Sequence, residues 1–118
     1  MQLVIAIEGF GAVGAELDDT SAARDFVSLL PLSLTLQDYA ATEKVSDLPR
    51  RLSTDDAPAG CSAEAGDLTY YVPWGNLAIF HKHFQYVDGL VKLGWIAPED
   101  VDALRTLGPL KATIRKDH

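Results

Sequence analysis

The stretch that decides the fold is residues 66–96, GDLTYYVPWGNLAIFHKHFQYVDGLVKLGWI. Its alternating apolar residues predict three successive strands, at residues 68–72, 77–81 and 90–96. The first two are joined by Val72-Pro73-Trp74-Gly75, in which proline presets the second turn position and glycine tolerates a left-handed backbone. The stretch also holds both tryptophans and three of the four tyrosines. We therefore expect it to wall any pocket that the protein has.

The segments that follow the second of these strands predict a loop, a strand and a helix. The loop is expected around residues 86–89, and in the strand after it Val91, Leu93 and Trp95 alternate on one face. Pro98 and the acids behind it open a helix. Its predicted apolar side consists of Val101, Leu104 and Leu107. A last strand is expected at residues 110–115.

The N-terminal third predicts a hairpin, a helix and a strand. Residues 3–7 and 12–17 alternate as two strands around a glycine-rich turn. Thr20 and the two acids before it can cap a helix that Pro31 ends, and residues 32–37 follow as a strand. Residues 9–14 spell G-x-G-x-x-G, but a dinucleotide site needs strand, turn and helix at that spacing. The run falls inside the hairpin, so nucleotide binding is not predicted.

The connection at residues 39–65 is long for a compact domain. It offers one candidate strand, around residues 48–52, and is otherwise rich in small and polar residues. Connections of this length are often binding loops or lids. We interpret it as a loop that faces the aromatic stretch.

Seven or eight short strands with two short helices predict one mostly β domain over residues 1–118. A closed barrel and a sandwich are both compatible with the pattern, and the early and late helices suit the two ends of a barrel. The formal charge of −7 argues against nucleic-acid binding, which needs clustered Lys and Arg. No apolar run approaches the roughly 20 residues that span a bilayer. The single cysteine, Cys61, suits a reducing compartment, so we expect a cytoplasmic protein with no membrane partner.

Several of these segments resemble a known family. LPLSLTLQDY at residues 30–39, TEK at 42–44, LPRRL at 48–52, AGD at 65–67 and YVPWGNLAIF at 71–80 are similar to the small bacterial cyclophilin-like proteins. The resemblance covers residues 1–96 and implies an eight-stranded cyclophilin-like barrel with two helices. The family pattern more often has Tyr where His81 stands and Arg where Trp95 stands, so its ligand contacts do not transfer to these positions.

Cyclophilins proper are prolyl isomerases, and Phe80-His81-Lys82 superficially matches their Phe-His-Arg tripeptide. In the isomerases the tripeptide comes soon after the first helix and leads into a Gln-Gly-Gly segment. Here it lies two strands later, without that segment, and carries Lys. Lysine does not reproduce the planar guanidinium that polarises the amide.

The candidate ligand-binding residues are aromatic or charged side chains of the two facing segments: Tyr39, Glu43, Trp74, His81 and Tyr86. Tyr71 and Phe80 are further candidates for the same apolar cleft. Trp74 is the strongest, because a residue after proline in a tight turn is hard to bury. Glu43 either orients a ligand or fixes the loop through Lys44.

Other chemistry is weakly indicated. His81 and His83 would share one face of a strand and supply half of a zinc or nickel site, but the remaining ligands have no evident source. Cys61 has no neighbouring base, and the acids around it would raise its pKa. No metal, cofactor or catalytic residue is predicted.

The leading hypothesis is a non-catalytic module that binds a peptide or a small molecule. The alternative is a prolyl isomerase with a non-standard site. A third interpretation is a homo-oligomer with Trp74 and Trp95 at the self-interface.

Overall fold

Eight antiparallel strands close into a barrel in the computed structural model, which describes residues 1–117. The barrel strands are β1 (Gln2–Ile7), β2 (Gly11–Leu17), β3 (Leu32–Tyr39), β4 (Glu43–Asp47), β6 (Asp67–Tyr71), β7 (Asn76–Phe80), β9 (Leu90–Ile96) and β10 (Leu110–Lys116). Around the barrel their order is β1-β10-β3-β4-β7-β6-β9-β2. The predicted mostly β, closed eight-stranded architecture is confirmed.

The barrel interior is filled by the alternating apolar residues of its strands. In the N-terminal hairpin, Ile5 lies opposite Val13 and both side chains are buried. The glycine-rich run at residues 9–14 lies in the turn and in β2, as predicted, with Gly9 and Gly11 at positive φ. Tyr70 enters the same core, and its hydroxyl accepts a hydrogen bond from the Leu52 N–H at 3.1 Å.

Two short helices cover opposite ends of the barrel. Helix α1 (Ser21–Val27) begins at Thr20, whose Oγ1 accepts the Ala23 N–H at 3.1 Å, and it leads into the start of β3. A 3-10 helix (Pro98–Leu104) lies at the other end, where the Gly108 N–H donates to Asp38 near the end of β3. Leu107 was predicted on the apolar side of this helix. That prediction is wrong, because the helix ends at Leu104 and the Leu107 side chain is 86% exposed. Neither helix has the length and apolar composition needed to cross a bilayer.

The connection at residues 39–65 is not the loop that was predicted. It contains β4 and a further strand, β5 (Gly60–Ala63), whereas the candidate strand at residues 48–52 is absent. The Leu48 N–H donates to the Gly75 carbonyl at 3.4 Å and the Leu52 N–H donates to the Tyr70 hydroxyl at 3.1 Å. Just beyond residues 48–52, the Ser53 N–H donates to the Asp25 carboxylate at 2.7 Å. Leu52 is buried in the barrel core without belonging to a strand. The apolar residues at 48–52 that predicted a strand are therefore explained by contact with the core and not by strand pairing.

The predicted common face of Val91, Leu93 and Trp95 holds for Val91 and Leu93, which are both buried in the core, but it is wrong for Trp95. Leu68 pairs with Gly94 and Thr69 with Lys92, so β9 has one extra residue at this point. Such a bulge shifts the alternation of side chains. Trp95 is therefore 41% exposed, while the next residue, Ile96, is buried in the same core as Leu93.

A second layer covers part of the outer barrel surface. It is formed by β5 and by β8 (Phe84–Asp88), a strand that lies where a loop was predicted. Beneath it, Ala78 and Phe80 of β7 are fully buried on the outer face, while Leu77 and Ile79 are buried on the inner face. The barrel wall is thus apolar on both sides here, as expected for strands covered on both faces.

Candidate ligand-binding site

The space between the barrel wall and β8 forms a pocket of about 210 Å³. We call it the outer pocket. Side chains from β3, β4, β6, β7, β8 and β9 and from the β6–β7 turn surround it: Tyr39, Glu43, Val45, Tyr71, Trp74, Asn76, Phe80, Phe84, Val87 and Leu90. Its lining is predominantly aromatic and aliphatic, with two strongly polar side chains, Glu43 and Asn76.

Three aromatic rings meet at the mouth of the outer pocket. The Trp74 ring centroid lies 5.2 Å from that of Tyr39 and 5.3 Å from that of Tyr71, at interplanar angles of 82° and 83°. Such edge-to-face pairs are a favourable aromatic arrangement. The turn after β6 places Trp74 there, because the Gly75 N–H bonds back to the Tyr71 carbonyl at 2.8 Å and Gly75 adopts a φ of 65°. Trp74 remains 52% exposed, so one edge of the pocket is open.

Glu43 is the only acid that lines the outer pocket among residues 1–117. Glu43 is 9% exposed, and its carboxylate accepts a hydrogen bond from the Thr42 hydroxyl at 3.2 Å. Burial raises the pKa of Glu43 to about 6, because it disfavours the charged form, and the Thr42 hydrogen bond offsets this only in part. The carboxylate therefore titrates closer to neutrality than an ordinary glutamate.

Asn76 is the second polar side chain of the outer pocket. It opens β7, directly after the turn glycine, and is 4% exposed. Its Oδ1 is buried and has no hydrogen-bond partner within residues 1–117. Buried amide oxygens are nearly always bonded, so the unpaired Oδ1 of this residue in the pocket wall would gain a partner if the donor of a ligand reached it.

The β3–β4 hairpin positions the polar and aromatic sides of the outer pocket relative to each other. Tyr39 pairs with Glu43 across a three-residue tip, in which Ala40 and Ala41 have φ angles of 54° and 57°. Left-handed geometry suits such a tip, but it disfavours residues that carry a Cβ. The chain thus holds a strained turn beside the pocket.

A profile of the cyclophilin-like family matches residues 6–115. The chain belongs to this family. The resemblance noted in the sequence is confirmed. The outer pocket of this chain therefore lies on a cyclophilin-like barrel.

Two solved structures share the fold of this cyclophilin-like protein. One is the solution structure of the hypothetical protein AF2241 from Archaeoglobus fulgidus, with a TM-score of 0.71 and 15% identity over 99% of this chain and 95% of that one. The other is McbB in complex with tryptophan, with a TM-score of 0.62 and 16% identity over 98% of this chain. The match spans only 44% of McbB. No curated protein matches the sequence.

The cyclophilin-like fold brings together three of the five predicted ligand-binding residues. Tyr39, Glu43 and Trp74 line the outer pocket, as do the further candidates Tyr71 and Phe80. Asn76 and Phe84 were missed. A polar residue at the start of an otherwise apolar strand was the available signal for Asn76, whereas Phe84 depended on recognising β8.

Two predicted residues, His81 and Tyr86, do not line the outer pocket. His81 is 6% exposed; its N–H donates to the Thr42 carbonyl, and its own carbonyl accepts from the Arg105 guanidinium at 2.7 Å. Burial, followed by the nearby Arg105 charge, lowers the pKa of His81. Tyr86 lies on β8 with its side chain 56% exposed.

The histidine pair and the cysteine lie in separate surroundings. β7 ends at Phe80, so His81 and His83 do not share a strand face, and His83 Nδ1 lies 2.8 Å from the Glu64 carboxylate. Within residues 1–117 no three His, Cys, Asp or Glu side chains are grouped to hold a metal ion. Cys61 lies on β5 with Sγ 3.3 Å from the Leu90 carbonyl, and burial raises the pKa of the thiol.

Proposed function

We propose that this cyclophilin-like protein is a non-catalytic binding module whose outer pocket takes a small molecule or one side chain of an extended peptide. The observation that carries the proposal is the combination of aromatic walls with two buried acceptors, Glu43 and Asn76, that have few partners of their own. Ligand pockets typically combine an apolar lining with a small number of placed polar groups.

The size of the outer pocket limits what it holds. Its volume of about 210 Å³ is below the roughly 300–1,000 Å³ of sites for drug-sized ligands. A single side chain or a compact molecule fits this volume. The opening beside Trp74 leaves room for the rest of a peptide to remain outside.

The test is a binding survey by saturation-transfer NMR. The probes are twenty N-acetyl amino-acid methylamides, one for each side chain. The tryptophan derivative deserves inclusion at several concentrations because McbB, which shares the fold, is recorded in complex with tryptophan. We expect a subset of the probes to bind.

The matched variants are Trp74→Ala and Trp95→Ala. Both tryptophans are partly exposed, at 52% and 41%, but only Trp74 lines the outer pocket. Binding should be lost in Trp74→Ala and kept in Trp95→Ala. Equal binding by the two variants, or no binding by the wild-type protein, would contradict the proposal.

Prolyl isomerisation has no specific support. None of the pocket-lining residues within 1–117 is an arginine. The guanidinium of Arg51, close to the β6–β7 turn, donates to the Val72 carbonyl at 2.6 Å. Acceleration of proline isomerisation by micromolar protein in a protease-coupled assay would overturn the non-catalytic part of the proposal.

A further inference from the structure

The one charged side chain that lines the outer pocket within residues 1–117 is an anion. Glu43 contributes a carboxylate with one hydroxyl partner, and Asn76 contributes an unpaired Oδ1. None of the lining residues within 1–117 is a lysine, arginine or histidine. The acceptors therefore have no positively charged partner in the pocket.

The nearest basic residue in the sequence does not fill this role. Lys44 follows Glu43 in β4, but its ammonium lies 2.7 Å from the Asp38 carboxylate and donates to two main-chain carbonyls. Neighbouring residues of a strand point to opposite faces. The Lys44 ammonium is thus held elsewhere, and the Glu43 carboxylate forms no salt bridge with another residue of 1–117.

The aromatic rings of the pocket add an attraction for positive charge. Trp74 stands nearly perpendicular to both Tyr39 and Tyr71, with centroid separations of 5.2 Å and 5.3 Å. All three residues line the outer pocket, and the faces of aromatic rings attract alkylammonium groups. The formal charge of −7 on the whole chain also raises the local concentration of cations.

We propose that the outer pocket recognises an alkylammonium group, with Glu43 as its counter-ion, Asn76 as a second acceptor and Trp74 as an aromatic wall. This inference rests on the proposed binding function and names the class of ligand for the same pocket. The ammonium belongs either to a lysine side chain in a peptide or to a free amine.

The experiment compares charged probes with uncharged probes of similar shape at pH 8, by isothermal titration calorimetry. N-acetyl-lysine methylamide is paired with N-acetyl-norleucine methylamide, and n-butylammonium is paired with 1-butanol. We expect each cation to bind at least about tenfold more tightly than its neutral partner, in line with the combined strength of charge-assisted hydrogen bonds and cation–π contacts. Binding by the lysine derivative but not by n-butylammonium would identify a peptide as the source of the group, and the reverse would identify a free amine.

The variants test whether the preference for cations comes from the Glu43 carboxylate or from the negative charge of the protein as a whole. Glu43→Gln should reduce the preference for the cation to below about threefold. Glu8→Gln removes an exposed carboxylate outside the outer pocket and should leave the preference unchanged. Asn76→Ala should weaken the binding of both cations and provides a second measurement that does not depend on Glu43.

The outcomes distinguish this inference from the binding function itself. If neutral probes bind as tightly as cations, or if Glu43→Gln keeps the full preference, the alkylammonium inference is overturned while the binding function stands. If neither cation binds but other probes of the twenty-member survey do, the alkylammonium inference is again overturned and the binding function again stands. If no probe of either set binds the wild-type protein, both proposals are overturned.

Discussion

Glu43 and Lys44 are adjacent in the sequence and carry opposite charges, yet their side chains lie on opposite faces of the barrel wall. The Glu43 carboxyl lines the outer pocket, whereas the fully buried Lys44 side chain pairs with Asp38 and with the carbonyls of Thr106 and Gly108. The alternation of a β-strand enforces this separation. Each charge therefore has its own environment, and the two make separate predictions.

Replacing Glu43 with Gln should change how stability depends on pH. The pKa of Glu43 is raised from 4.5 to about 6 in the folded protein, so the folded state binds the proton more tightly than the unfolded chain. The stability that this proton contributes is fully present below pH 4.5 and is lost as the pH rises through about 6. Glu43→Gln removes this loss, so its free energy of unfolding relative to wild type should rise by about 2 kcal/mol between pH 4 and pH 8.

Urea unfolding of both proteins at pH 4, 6 and 8 measures this difference. The contribution of His81 is common to both proteins and cancels. Glu8→Gln, at an exposed position, serves as the control and should show no comparable rise. A constant difference between Glu43→Gln and wild type across the three pH values would show that Glu43 titrates normally.

Replacing Lys44 with Met should destabilise the barrel. The ammonium is 2.7 Å from Asp38 and bonds the Thr106 and Gly108 carbonyls at 2.7 and 2.6 Å. These contacts fasten the segment after the 3-10 helix to β4. We expect the free energy of unfolding to fall by about 2 kcal/mol. The stabilisation lost with the charge-assisted hydrogen bonds exceeds the desolvation cost that is no longer incurred when the ammonium is absent.

Denaturant unfolding of Lys44→Met and of Lys82→Met checks this prediction. Lys82 is exposed, so its replacement should change stability by less than about 0.5 kcal/mol. Unchanged or greater stability in Lys44→Met would mean that the free-energy cost of burying the ammonium is at least as large as the stabilisation from its ion pair and hydrogen bonds.

Relieving the strained tip of the β3–β4 hairpin should stabilise the protein. Ala40 and Ala41 both adopt left-handed angles, with φ of 54° and 57°. The double substitution Ala40→Asn and Ala41→Gly supplies the pair that such turns favour and should add about 1–2 kcal/mol to the free energy of unfolding. Thermal and urea unfolding would measure the gain. Ala12→Gly, at an exposed position of β2, should instead destabilise by about 0.5–1 kcal/mol, and a loss of similar size in the double variant would argue against a left-handed tip.

Two glycines in adjacent strands should respond very differently to alanine. A Cβ on Gly94 would lie 2.0 Å from the Glu16 carbonyl oxygen and 2.8 Å from the Leu17 Cα, whereas a Cβ on Gly14 would meet nothing within 4 Å. Gly94→Ala forces β2 and β9 apart at the bulge, and we expect a loss of about 3 kcal/mol or more. Gly14→Ala should be tolerated. Circular dichroism followed by urea unfolding compares them, and equal stability of the two variants would contradict the close approach of these strands.

The sequence alone predicted most of the barrel because each strand carries its own apolar alternation. The hairpin at the N-terminus, the turn around Trp74 and the last strand all follow from local periodicity and turn chemistry. It also indicated that Tyr39, Glu43 and Trp74 were candidate ligand-binding residues. What it determined, therefore, is the set of strands whose faces are strongly patterned and the residue types available for a site.

Only the tertiary structure decided where the pocket lies. The sequence pattern did not predict β4 because its buried positions include Glu43 and Lys44, and the burial of Lys44 depends on partners distant in sequence. β8 was hidden because it has few buried positions and is a strand only through its pairing with β5. The bulge that turns Trp95 outward depends on the register against β6. The outer pocket arises between β8 and a barrel wall that is apolar on both faces, and local periodicity does not determine which strands become neighbours.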